Sequence, residues 1–235
     1  MLGTWINVGA VLLGSLVGLL AGRKIPEGIT RSAMVGIGLV TFVVGAKLAL
    51  GTQNTLVLLL ALLAGGGLGT WLRIEDRLAQ LGDASERLFP AVARGALTQG
   101  FVAATLLFCV GPMAILGAIR DGVYGDWQIL ALKSVMDGTA AIGLVAGLGP
   151  GVFLAAASVL VYQGGITLAA HWAIAPTADV VLVSSPSLTE FSAAGGAVLV
   201  ALSFKLLGIR DLRIGNLLPT LALAPLFAYL YALLA

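Results

Sequence analysis

The chain has 235 residues, of which 59% are hydrophobic and only 10% charged, with a formal net charge of +2; its mean hydropathy is +1.05. A water-soluble domain carries about 25% charged residues, so this composition excludes a soluble globular protein and leaves an integral membrane protein with the lipid bilayer as its main partner. One cysteine, Cys109, and one histidine, His171, exclude a disulfide framework and argue against a zinc cluster. No basic cluster interleaved with aromatics points to nucleic acid, and no G-x-x-x-x-G-K-[ST] loop points to ATP-driven transport.

A span needs about 20 mostly apolar residues. The first candidate covers 4–22; the segment before it lacks the basic n-region of a signal peptide, so it is expected to remain as the first span. Gly14, Gly18 and Gly22 form a small-residue ladder along it. Such ladders let helix backbones approach closely, within one chain or between protomers of a homo-oligomer. Spans 31–51 and 55–73 follow, the former carrying Lys47 in "GLVTFVVGAKLALG". In "WLRIEDRLAQLGDASERLFPAVAR" (71–94), Trp71, Ile74, Leu78, Leu81, Leu88 and Val92 recur at helical spacing among charges. The spacing predicts an amphipathic helix at the cytoplasmic membrane surface over about 74–92, with a partner-binding helix as the alternative.

The fourth span, 95–119, contains Gln99 and is interrupted by Gly111–Pro112, which should kink it or open its hydrogen-bond ladder. The fifth, 127–147, carries Lys133 and Asp137. "GLGPG" at 147–151 separates it from the sixth, 151–172, which holds Gln163. The seventh, 190–208, carries Lys205, and Asn216 opens the eighth, 215–234. The pattern predicts an all-α polytopic transmembrane bundle of eight spans in a single membrane domain, 1–235; merging the segments around "GLGPG" would give seven. With both termini outside, the inner loops hold Arg23, Lys24, Arg31, Arg73, Arg77, Arg87, Arg94, Arg210 and Arg213, and the outer loops only Arg120. The positive-inside rule therefore predicts periplasmic termini.

An ionisable group at the bilayer centre costs about 2.5–3.5 kcal/mol on insertion scales, so depth decides which charges need explaining. Lys47 and Lys205 sit in the last turn before Gly51 and Gly208, where a long stem can snorkel to the interface and the helix dipole favours a cation. Asp137 lies ten residues from both Trp127 and Gly147, too deep for a short carboxylate to snorkel. Lys133 is one turn earlier on the same face and can pair with it. Two readings stand: a buried ion pair that ties helices together, or an ion-coupling carboxylate facing a hydrated cavity. Aligning Gly38 with Gly196 matches Lys47 to Lys205 with four identities in fourteen positions. As a repeat, this echo pairs spans 2–3 with 7–8 in opposite orientations, the inverted architecture of many secondary transporters.

"GFVAATLLFCVGPMAILGAIRDG", "KSVMDGTAAIGLVAGLG", "VLVYQGG" and "RIGNLLP" resemble the bacterial membrane-protein family catalogued as domain of unknown function 554. The resemblance spans nearly the whole chain and implies a bacterial inner-membrane location. It implies no activity and no functional residues, so function rests on the residues themselves.

They point to a secondary transporter or exporter of a small polar or ionic solute, not an enzyme, with no cofactor and no metal. Asp137 is the expected coupling or binding carboxylate and Lys133 its partner. Gly111 and Pro112 make the helix break, Gln99 and Gln163 line the site, and Lys47, Lys205 and Asn216 are secondary candidates. A passive oligomeric channel and a non-transport scaffold or partner subunit are the alternatives.

Overall fold

A computed structural model describes residues 1–22, 26–78, 80, 96–173 and 185–234. Every regular element among them is helical: α1 (Leu2–Gly22), α2 (Glu27–Ala49), α3 (Thr55–Trp71), α4 (Ala96–Cys109), α5 (Pro112–Tyr124), α6 (Gln128–Leu148), α7 (Val152–Ala173), α8 (Pro186–Leu206) and α9 (Pro219–Leu234), with a 3₁₀ turn at Ile214–Leu217 before the last. Helix is the expected answer, because an apolar solvent offers backbone N–H and C=O groups no partner outside the segment itself. Five stretches are long and apolar enough to cross a bilayer: Leu2–Ala21, Gln128–Leu148, Val152–Trp172, Pro186–Leu206 and Ile214–Leu234. The chain is thus an α-helical membrane protein.

The breaks fall where local chemistry puts them. Pro112 has no N–H for the helix, so α4 ends at Cys109 and α5 restarts with Pro112 in its first turn after an extended Gly111. The axes of the two pieces differ by 61°. At "GLGPG", α6 stops at Leu148 and α7 begins at Val152, with Gly149 at φ +83° ending the first helix. A left-handed turn of that kind is cheap only for glycine. Of the expected surface helix at 74–92, residues 74–78 and 80 are helical; the remainder lies outside the described residues.

The chain divides into two compact units, Met1–Ile37 with Leu81–Val181, and Gly38–Gln80 with Leu182–Ala235. In the first, α1 lies directly on α6. A methyl carbon placed on Gly18 would sit 2.5 Å from the Ile142 carbonyl oxygen, one on Gly138 would sit 3.0 Å from that of Ala10, and Gly14 abuts the Gly138 backbone. At Gly14 and Gly18 the glycine ladder of α1 is therefore filled by a helix of the same chain. α6 turns Leu130, Lys133, Ser134, Asp137, Gly138, Ala141 and Leu144 inward and presents Leu132, Val135 and Met136 outward. That arrangement, polar inside and apolar outside, suits a helix whose solvent is lipid.

In the second unit, Ala61, Ala194 and Ala224 form a small-residue core under Leu58, Leu223 and Phe227. The echoing stretches meet there: Gly45 faces the Gly196 carbonyl at 2.8 Å from its would-be methyl, and Gly38 faces Leu207 at 2.9 Å. The α2 and α8 segments thus run antiparallel, with Phe42 stacked on Phe204. Buried Glu190 fastens the turn between α2 and α3, accepting hydrogen bonds from Thr52 Oγ1 (2.7 Å), Gln53 N (2.7 Å) and Asn54 N (3.1 Å).

Overpacking a tight contact costs about 1–3 kcal/mol. Gly14→Val is expected to lower unfolding stability in mixed micelles by at least that much, whereas Gly9→Ala, where an added methyl meets nothing within 4 Å, should leave it unchanged. Equal effects of the two substitutions would refute the α1–α6 contact.

Candidate functional site

Buried polar side chains cluster inside the first unit, where α1, α6 and α7 meet. Lys133 and Asp137 are successive-turn neighbours on α6 and form a direct ion pair through Asp137 Oδ2. They are 5% and 7% exposed, so the pair is screened little by solvent. The second ligand of the carboxylate comes from α1: Asn7 Nδ2 donates to Asp137 Oδ2 at 3.0 Å and also to Gln163 Oε1 of α7 at 3.1 Å. Asn7 and Gln163 are fully buried. One amide therefore bridges three helices, and its orientation follows from the charge it faces. An ionised carboxylate accepts hydrogen bonds only, so Asn7 must present its NH₂ group to Asp137.

This arrangement leaves two buried polar atoms without a partner, Asn7 Oδ1 and Gln163 Nε2. A buried polar group with no partner costs about 1–3 kcal/mol.

Polar side chains recur one turn from the amides on α1 and α7. Thr167, one turn beyond Gln163, donates to the Gln163 backbone carbonyl at 2.8 Å, and its hydroxyl lies 3.3 Å from that of Thr4 on α1. Thr167 also lines a cavity of about 340 Å³ with Asp121, Gly122, Leu168 and His171. Gly122 has no room for a side chain, since a methyl there would touch Ala170 at 3.0 Å. Its carbonyl accepts from His171 Nδ1 at 3.1 Å, and buried Asp121 accepts from Gly3 N at 3.1 Å at the start of α1.

The sequence candidates separate by unit. Asp137, Lys133 and Gln163 come together. Gln99 is half-buried on α4 and takes no part in the network; α4 is joined to α7 instead by Thr105 Oγ1 donating to Ser158 Oγ at 3.2 Å. Gly111 caps α5 and Pro112 opens it. Lys47 is exposed near the end of α2. Lys205 belongs to an ionic cluster in the second unit, 3.0 Å from Asp211 Oδ1 and 3.6 Å from Glu75 Oε1. Asn216 Oδ1 accepts from Glu75 N at 2.9 Å. Sequence reasoning missed Asn7, Thr4, Asp121 and Glu190. An amide or acid in an otherwise apolar segment was the available signal, and it is strongest for Asn7 in "GTWINVGAV". Among the described residues no group of three or more His, Cys, Asp or Glu side chains is placed to hold a metal ion.

A polytopic helical membrane protein with a buried acid–base pair tied to two amides is the class these features define. The chain belongs to the family described as protein of unknown function (DUF554), whose model matches residues 2–229. It is similar to an uncharacterized protein, YqgA, of Escherichia coli K12, with 33% identity over 95% of this chain and 94% of the relative. It is also similar to an uncharacterized membrane protein, YdfK, of Bacillus subtilis 168, with 26% identity over 97% of this chain and 96% of that protein. No solved structure matches.

Removing one member of a buried ion pair costs about 3–5 kcal/mol, while replacing both members with apolar groups is often neutral. Lys133→Met should therefore destabilise the protein by that amount, and Lys133→Met/Asp137→Leu should recover most of the loss, both read from unfolding in mixed micelles. Additive losses in the double variant would show that the two charges do not interact.

Proposed function

We propose that the protein is a secondary transporter or exporter of a small polar or ionic solute in the bacterial cytoplasmic membrane, with Asp137 as its coupling carboxylate. The observation that carries this reading is the buried Lys133–Asp137 pair, ligated by the Asn7 amide of α1, which is itself bonded to Gln163 of α7. Desolvating two charges is expensive, and an apolar pair of equal volume would pack the same helices more cheaply. Intramembrane ionisable groups persist where they bind or move ions. The helix broken at Gly111 belongs to the same unit, and discontinuous helices supply the free backbone groups of many transporter sites.

In this reading the chain crosses the membrane eight times, α4 and α5 counting as one broken span, with both termini periplasmic. The antiparallel packing of the 38–49 and 196–207 stretches is what two inverted copies of one unit would produce, and supports the repeat.

Two measurements test the proposal. In proteoliposomes, a panel of small solutes is screened for movement driven by an imposed proton gradient. The wild type should carry at least one, and Asp137→Asn should cut gradient-driven uptake at least tenfold; undiminished uptake would remove Asp137 from the mechanism. In intact cells, a membrane-impermeant maleimide should label Gln53→Cys and not Arg73→Cys, and the opposite pattern would overturn the orientation.

A further inference from the structure

Charge conservation at the buried pair limits what can share its space. With Asp137 ionised and Lys133 protonated, the centre is neutral. Adding a proton or a metal cation alone leaves one uncompensated positive charge in a low-dielectric interior, at a cost of several kcal/mol. Adding a proton together with a monoanion restores neutrality. The proton converts the Asp137 carboxylate to a carboxylic acid, which gives up its claim on the Lys133 ammonium; the anion then takes the vacated place beside that ammonium.

The surrounding side chains fit this exchange. Gln163 Nε2 is a buried donor with no partner and Asn7 Oδ1 a buried acceptor with no partner, on two side chains joined to each other at 3.1 Å. A protonated Asp137 is a donor and needs an acceptor, which Asn7 Oδ1 supplies once its amide turns over; the Gln163 amide turns with it, so that Nε2 donates one N–H to Asn7 Oδ1. The second N–H of Gln163 Nε2 remains as a donor for negative charge. Among the described residues, α1 brings the Asn7 amide to Asp137 with Gln163 of α7 behind it, Lys133 is the charged neighbour on its own helix, and the Cys109 thiol of α4 is within electrostatic reach of both, with Tyr162 of α7 beyond it. Thr4 and Thr167 lie one helical turn from Asn7 and Gln163, with their hydroxyls 3.3 Å apart, and Thr167 lines the cavity of about 340 Å³ beside His171.

We propose that Lys133, Asn7 and Gln163 form a binding site for a small monoanion that becomes available when Asp137 is protonated, so that one anion and one proton are taken up together. The inference rests on the transporter reading for its place in a cycle, while the binding step can be measured without any flux. Purified protein in detergent, in gluconate buffers, is titrated calorimetrically with sodium formate, sodium acetate and sodium chloride, with methylammonium gluconate as the cationic probe. At least one anion should bind with uptake of one proton, read from the dependence of the heat on buffer, and its affinity should fall about tenfold per pH unit above the protonation midpoint. Asp137→Asn, which keeps the shape and removes the titration, should bind the anion without proton uptake and independently of pH. Gln163→Leu, which leaves the ion pair intact, should weaken the anion at least tenfold.

Anion binding without proton uptake, unchanged pH dependence in Asp137→Asn, or binding of methylammonium in place of all three anions would overturn the proposal. So would the absence of anion binding in protein that transports another solute, an outcome that leaves the transporter reading standing. Proton-linked anion binding in protein that moves no solute would leave the site standing and refute transport.

Discussion

Lipid donates and accepts no hydrogen bonds, so each polar group of this bundle must find its partner inside the protein, and that demand shapes both units. In the first unit it draws three helices to one point, where the carboxylate of Asp137 takes an ammonium from its own helix and an amide from α1, with Asn7 Oδ1 and Gln163 Nε2 left over. In the second it is met at a connection: the Glu190 carboxylate collects three donors from the turn at residues 52–54. Close approach of backbones is the means in the first case. Without Gly14, Gly18 and Gly138 at the α1–α6 crossing, the short side chain of Asn7 could not reach across to Asp137.

Much of the secondary structure was legible in the sequence, for physical reasons specific to each place. Proline at 112 and the glycine at 149 end helices through backbone chemistry, and backbone chemistry is local. Lys133 and Asp137 were legible as a pair because four residues is one helical turn. The rest of the site depends on which helix lies against which, and an apolar composition encodes that weakly: Leu, Val and Ala serve equally facing lipid or facing another helix. Asn7 therefore gave no hint of its partner, although an amide in a span always needs one. The glycines of α1 were readable as a contact surface, while the identity of the covering helix was not.

Lys205 shows the same limit from the other side. Its depth suggested a cation reaching for the interface, and depth alone could not show that Glu75 and Asp211 wait there. Both acids lie far from it or in a loop, where sequence spacing carries no register. The second unit thus has carboxylates at two connections, Glu190 at the turn after α2 and Glu75 beside the one after α8, where Asn216 accepts from the Glu75 backbone.

The crossing of α1 on α6 has a mechanical consequence. Backbone touches backbone there over more than one turn, and such a contact has no side-chain cushion through which helices can slide or roll. The two helices must move as one rigid body that carries Asn7, Lys133 and Asp137 together. The polar contacts that join α7 to this body are the Asn7–Gln163 amide pair and a hydroxyl pair at 3.3 Å, so a displacement of α7 along α1 would break both.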